Sequence, residues 1–167
     1  DNVSKADNIV FHTPDLKLEG SNILWVMPDA ANKTAVPQVD LYFNYPVNPA
    51  TIKDKLKVEV DGKPADYTLQ TMSADNKMTI RLLNMKTEDR DYDINVRLDK
   101  GLVPEGGVNA TAEEVKNQTT IPSPFTLVIN DINAEHDGTS GTVTVKTSQQ
   151  VVAESLAGFI KLNPNSK

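Results

Sequence analysis

Tyr92-Asp93-Ile94-Asn95-Val96-Arg97-Leu98 alternates apolar and polar side chains without a break. Successive side chains of a strand point to opposite faces, so this period gives a ribbon with one dry face and one wet face. The same alternation runs through Leu56, Val58 and Val60, with Lys57 and Glu59 between them, and through Met78, Ile80 and Leu82 around Thr79 and Arg81. Tyr67 and Leu69 follow the turn Asp61-Gly62-Lys63-Pro64. Such segments are half-buried strands of antiparallel sheets. Further strands are expected at residues 8–11, 22–26, 39–43, 125–129 and 142–146.

Punctuation between these runs is short. Asp61-Gly62 and Asp137-Gly138 are turn dipeptides of the kind that join adjacent strands. Two helical turns are expected as connectors. Asn48 ahead of Pro49 is an N-cap with proline at the first helical position. Thr111 with Glu114 three residues on reads as a capping box opening a turn through Val115. No long helical period occurs, so the fold class is all-β, an immunoglobulin-like antiparallel β-sandwich. Its buried phase should include Trp25, Leu41, Phe43, Leu56, Val58, Ile80, Leu82, Ile94, Val96 and Leu98.

The 167 residues carry 23 acidic and 17 basic side chains, a formal charge of −6. No Lys/Arg cluster exists to release counterions from a phosphate backbone, which excludes nucleic acid as a partner. The absence of cysteine removes disulfides, thiolate chemistry and sulfur-ligated zinc. No apolar run approaches the roughly 20 residues that span a bilayer. The polar start, residues 1–8, reads as a leader arm with no export signal in it.

Val39, Leu41, Val47, Thr51, Ile52, Leu56 and Val58 have counterparts in Val143, Val145, Val151, Ser155, Leu156, Ile160 and Leu162. The offset is constant at 104 residues (143 minus 39). Each copy reads as strand, polar stretch, helical turn, strand, which is the mark of a repeated module. Two domains follow. Residues 1–121 make the leader arm and one sandwich, and residues 122–167 start a second, incomplete immunoglobulin-like module, so the parent polypeptide is expected to be longer. Ile121-Pro122-Ser123-Pro124 forces extended backbone within a linker at 118–124. A half-module leaves Leu127, Ile129, Val143, Val145, Leu156 and Ile160 without a second sheet. It must then fold back, pair with another copy or stay mobile, unless it completes one larger domain with the first 120 residues.

Residues 39–107 carry a family likeness. Leu41-Tyr42-Phe43-Asn44-Tyr45-Pro46-Val47-Asn48-Pro49, then Leu56-Lys57-Val58-Glu59-Val60-Asp61-Gly62, Tyr92-Asp93-Ile94-Asn95-Val96 and Lys100-Gly101-Leu102-Val103-Pro104-Glu105-Gly106-Gly107 follow a recurring order. It resembles the N-terminal, macroglobulin-like modules of bacterial alpha-2-macroglobulins of the Bacteroides type. The resemblance implies an exported protein of the periplasm or cell envelope that traps or inhibits proteases, held to the membrane, if at all, by a lipid anchor outside this segment. The family's Cys-x-Glu-Gln thioester has no place in a cysteine-free chain, and no bait region is recognisable. The segment is expected to supply architecture.

His12 and His136 sit in no motif such as G-x-S-x-G or H-E-x-x-H and read as turn or surface residues. Asp131, Asn133, Glu135 and Asp137 alternate before Gly138 and hint at calcium, but the glycine is misplaced and Thr142 stands where a bidentate glutamate belongs. A solvated interstrand loop is the expected reading. Glu88, Asp89, Asp91 and Asp93 form an acidic run around Arg90, read as an exposed approach to a hairpin. Of the aromatics Trp25, Tyr42, Phe43, Tyr45 and Tyr67, Trp25 and Phe43 belong to the core, leaving Tyr42 and Tyr45 for an exposed face. Asn-x-Ser/Thr sequons start at Asn2, Asn32, Asn109 and Asn117 and are incidental in a bacterial protein. No catalytic residue, metal ligand or cofactor is expected. The expected partners are other domains of the same polypeptide and, through the parent, target proteases; a carbohydrate-binding or adhesin module is the rival reading.

Overall fold

Alternating apolar residues draw the strands into two facing antiparallel sheets. The computed structural model describes residues 14–29, 34–156 and 158–161. Strands β1 (Leu18–Val26), β2 (Val36–Val47), β5 (Tyr67–Leu69) and β6 (Asp75–Leu82) form one sheet in the order β1-β2-β6-β5. Strands β3 (Leu56–Val60), β4 (Lys63–Pro64), β7 (Tyr92–Leu98) and β8 (Val115–Ile121) form the other in the order β4-β3-β7-β8. Lettered along the chain with β4 as a short C′ strand, the sheets are ABED and C′CFG. This is an immunoglobulin-like sandwich.

The register places one phase of every strand inside. Ile23 opposes Val39, Val39 opposes Ile80, and Leu41 opposes Met78. On the second sheet Val58 opposes Val96 and Leu56 opposes Leu98. All ten residues expected in the core are buried, and Leu16, Val47, Ile52, Tyr92, Leu102 and Ile121 join them in the same cluster. Full burial of each such aliphatic side chain contributes about 1.5–3 kcal/mol.

Local chemistry sets the connections. Asp61 and Gly62 both take positive φ, 50° and 74°, the backbone a two-residue β3–β4 hairpin turn needs. Asn48 caps the helical turn α1 (Pro49–Ile52), its side chain accepting from the Ala50 amide at 2.9 Å. The turn swings Ile52 into the core before β3 crosses to the opposite sheet. Tyr92 opens β7, and its hydroxyl donates to the Lys86 carbonyl at 3.0 Å and accepts from the Glu88 amide at 2.7 Å. A tyrosine at the start of strand F bonding back to the preceding loop is the tyrosine corner of Greek-key sandwiches.

Four expectations are corrected. Thr111 caps no helix; its amide and hydroxyl pair with the backbone of Leu102, at 2.8 and 3.1 Å, in a loop closure. Residues 115–121, expected as the end of a helical turn and a linker, are strand β8. Residues 125–128 form a turn rather than a strand. The expected loop 131–137 is mostly strand β9 (Ile129–His136), which pairs with β10 (Gly141–Thr147) in a separate two-stranded sheet. A second helical turn, α2 (Ala153–Leu156), follows. The expected strand at 8–11, the leader arm, His12 and the sequons at Asn2 and Asn32 lie outside the described residues. Among the described residues no helix is long and apolar enough to cross a membrane.

Candidate interaction surface

Strand β10 alternates as β2 does. Val143 and Val145 lie on one face, Thr142, Thr144 and Lys146 on the other. Across the pair, Ile132 opposes Val145. Leu127, Ile129, Ile132, Val143, Val145, Leu156, Phe159 and Ile160 are among the residues that line a groove of about 320 Å³. Most of this lining is open to solvent: Val143 is 40% exposed, Ile132 62% and Phe159 86%. Together they make a contiguous exposed apolar patch, which is what singles this face out as a candidate surface.

Helical turn α2 stands 104 residues after α1 (153 minus 49), the offset of the sequence repeat. Val143, Val145, Thr147 and Leu156 in the groove therefore correspond to Val39, Leu41, Phe43 and Ile52. In the sandwich those four are buried, three of them fully. The same sequence unit is covered in one place; in the other Val143 is exposed and Val145, Thr147 and Leu156 are half-buried.

A built elbow connects the small sheet to the sandwich. The Trp25 amide donates to the Ser148 carbonyl at 2.8 Å, and the Gln150 amide donates to the Trp25 carbonyl at 2.7 Å. Residue 149 thereby runs parallel to the edge of β1. The Trp25 indole donates to the Pro122 carbonyl at 2.7 Å. Ser148 is buried, and its hydroxyl accepts from the Val128 amide at 2.9 Å. Ser123, also buried, donates its hydroxyl to Asp89 at 2.6 Å and its amide to Asp91 at 3.0 Å.

The acidic run is thus a set of fasteners. Asp89 and Asp91 hold the elbow, and Asp93 accepts from the Thr120 hydroxyl at 2.6 Å. Arg90 lies 3.9 Å over the Tyr92 ring and pairs with Asp61 at 2.8 Å and Glu88 at 3.3 Å. The Arg90 hydrogen bond, then the Asp93 amide, hold the Asp61 carboxyl below its ordinary value.

The calcium candidates do not converge. Asp131 pairs with Lys146 at 3.4 Å, and Glu135 accepts from Asn133 at 2.8 Å. Asp137 turns its carboxylate into its own loop, accepting from the Ser140 and Thr139 amides, which lower its pKa. His136 accepts from the Gly138 amide at 2.9 Å. Among the described residues no group of three or more His, Asp or Glu side chains is placed to hold a metal ion.

Trp25 and Phe43 are core, and the Tyr67 hydroxyl donates to the Leu56 carbonyl at 2.9 Å. Tyr42 is exposed beneath the Lys77 ammonium, 5.7 Å from its ring centre, and Tyr45 packs partly against the core. Asn117 of β8 donates to the Ser21 hydroxyl, and the Asn109 carbonyl accepts from the Leu16 amide at 3.1 Å.

No protein-family model, curated protein or solved structure matches the chain.

Sequence reasoning named six groove residues but missed Ile132 and Phe159, because a polar-rich strand hides the first and the second falls outside the matched repeat positions. Ser123, Ser148 and Gln150 were missed altogether. Their roles arise from contacts with residues 20 to 125 positions away, and nothing local signals them.

Proposed function

We propose that this chain is a non-catalytic structural and interaction segment of an exported alpha-2-macroglobulin-like protease inhibitor of the bacterial envelope. One complete immunoglobulin-like module and the opening of a second supply architecture, while trapping chemistry resides elsewhere in the parent. The observation that carries this reading is the recurrence of strand plus helical turn at the 104-residue offset, β2–α1 and then β10–α2. Tandem modules with their own faces are the material of extended scaffolds. The family itself is supported by the motif order quoted above, in which Asn44-Tyr45-Pro46-Val47-Asn48-Pro49 falls on the end of β2 and its helical turn.

The polar candidates favour this reading over catalysis. Among the described residues, the candidates Glu88, Asp89, Asp91, Asp93, Asp131, Glu135, His136 and Asp137 are each engaged in a turn, a strand pair or the elbow. Of the two tyrosines left for sugar stacking, Tyr42 lies under a lysine and Tyr45 packs partly against the core.

The test is protease inhibition by the full-length polypeptide. Incubation with a broad-specificity protease should yield a stable protease complex and reduce cleavage of protein substrates. Unchanged cleavage and no complex across several protease classes would remove the inhibitor assignment, and specific retention on a polysaccharide matrix would install the rival.

A further inference from the structure

The end of the sandwich where β1 begins, away from the elbow, carries another groove. It has a volume of about 370 Å³, and its lining includes Pro14, Tyr45, Pro46, Pro104, Glu105 and Val108. Its walls are held in place. The Leu16 amide donates to the Asn109 carbonyl at 3.1 Å, and the Glu105 amide donates to the Pro46 carbonyl at 2.8 Å. The Asn48 side chain donates to the Glu105 carboxylate at 3.1 Å. A Cβ on Gly107 would meet the Pro104 ring at 2.6 Å, so glycine lets this wall close on itself. Val108 on the rim is nonetheless 88% exposed, and covering such apolar lining is favourable.

We infer that this groove is the seat of the chain's own N-terminal arm, with Phe11 as the anchor. Pro14 is both a lining residue and the point where the arm joins the sandwich. Phe11 is three residues from it, a reach of at most about 10 Å. Thr13 precedes a proline, which biases it to extended backbone. In an extended arm Ile9 and Phe11 share one face, and Val10 and His12 share the other. Ile9 and Phe11 therefore turn to the groove together. A cavity of about 150 Å³ already accepts a benzene ring, and this one is larger. Tethering selects the occupant: a tether this short holds Phe11 at an effective concentration of order millimolar, above that of a second copy offering the same side chain. The inference rests neither on protease trapping nor on the sequence repeat.

Thiol accessibility in the 167-residue chain tests this, since the chain contains no cysteine. Val108→Cys places a thiol on the groove, and Thr144→Cys places one at an exposed position of β10. Each variant is labelled with a maleimide under native conditions, and modification is read by mass spectrometry on the peptide carrying that position. Sedimentation gives the oligomeric state. In the monomer the thiol at 108 should react on the order of tenfold more slowly than that at 144, as for a site reached only through local opening. Adding Phe11→Asp should remove most of that difference, and adding Val10→Asp should leave it. Equal rates at 108 and 144 with the native arm would overturn the inference, whatever the Phe11 variant does. Protection that survives Phe11→Asp, or that Val10→Asp abolishes equally, would overturn Phe11 as the anchor. Protection that appears only with dimerisation would give the groove to a second copy and overturn the intramolecular seat.

Discussion

The indole of Trp25 meets the ring of Tyr92 edge to face, with centroids 5.5 Å apart and planes at 71°. One residue belongs to the first strand and the other to the tyrosine corner, so this contact ties the two sheets where the elbow also attaches. Tyr92→Phe keeps the contact and removes the hydroxyl that Lys86 and Glu88 use. Leaving those backbone groups without their partner should cost about 1–3 kcal/mol. Tyr92→Leu also removes the ring pair and the Arg90 stack and should cost about 1 kcal/mol more. Urea midpoints at constant m-value would measure both.

Core and groove should respond oppositely to truncation. Ile94 is fully buried, so Ile94→Ala should lose about 2–5 kcal/mol through a cavity. Val143→Ala in the 167-residue chain should change stability by no more than about 0.5 kcal/mol, since its methyls are already partly in water. Comparable losses at both positions in denaturant titration would contradict the exposed state of the groove.

Strands β3, β6 and β7 were legible because each alternates strictly, and Asn48-Pro49 because an N-cap acts over two residues. Strand β8 was not. Its inward positions include Asn117 and Thr119, so the alternation is between polar residues, and pairing with β7 makes the strand. Strand β9 hid for a related reason: Asn130, Asp131 and Asn133 favour turns locally, and only the ladder to β10 overrides them. Thr111 shows the converse, a capping signal that no helix follows, its bonds going to Leu102 instead. The elbow was illegible because Ser123 and Ser148 matter only through hydrogen-bond partners distant in sequence.

Removing Ser123–Lys167 tests the modular boundary. The remaining chain keeps both four-stranded sheets but loses the Ser148 and Gln150 bonds to Trp25 and the Ser123 bonds to Asp89 and Asp91. These groups become hydrated rather than buried, so each bond should count for about 0.5–1 kcal/mol. Unfolding should stay cooperative, with Tm lowered by roughly 5–15 °C. Emission from Trp25, the single tryptophan, is the convenient probe. A non-cooperative transition would mean that the two units are one domain.

Acid should weaken the fold through specific carboxylates. Asp61 and Asp137 have folded pKa values below their ordinary ones, through Arg90 and through the Ser140 and Thr139 amides respectively. A lowered folded value contributes stability that is present above the unfolded pKa, near 4, and is lost as pH falls through the folded one. Asp61→Asn should therefore flatten the stability profile between about pH 5 and pH 2. Lys77 has the opposite sign: its bond to buried Asp40 raises its pKa, so its contribution holds below pH 10.5 and fades above it. Parallel pH titrations of wild type and variant check both directions.

Chelation should leave the protein unchanged. Treatment with EDTA is expected to shift Tm by less than about 1 °C, because Asp131, Glu135 and Asp137 are each engaged within the hairpin. A larger fall in a thermal scan, restored by calcium, would return the metal site to consideration.

Trp25 precedes Pro122, Ser148 and Gln150, which complete its hydrogen bonds, by 97, 123 and 125 residues. Synthesis proceeds from the N-terminus at about 5–20 residues per second, so β1 waits roughly 6–25 s on the ribosome with this stretch of its outer edge unclosed. During that interval the edge is a template for any passing strand. The outer edge of β1 at Trp25 is therefore closed only after residues 122–150 have been made.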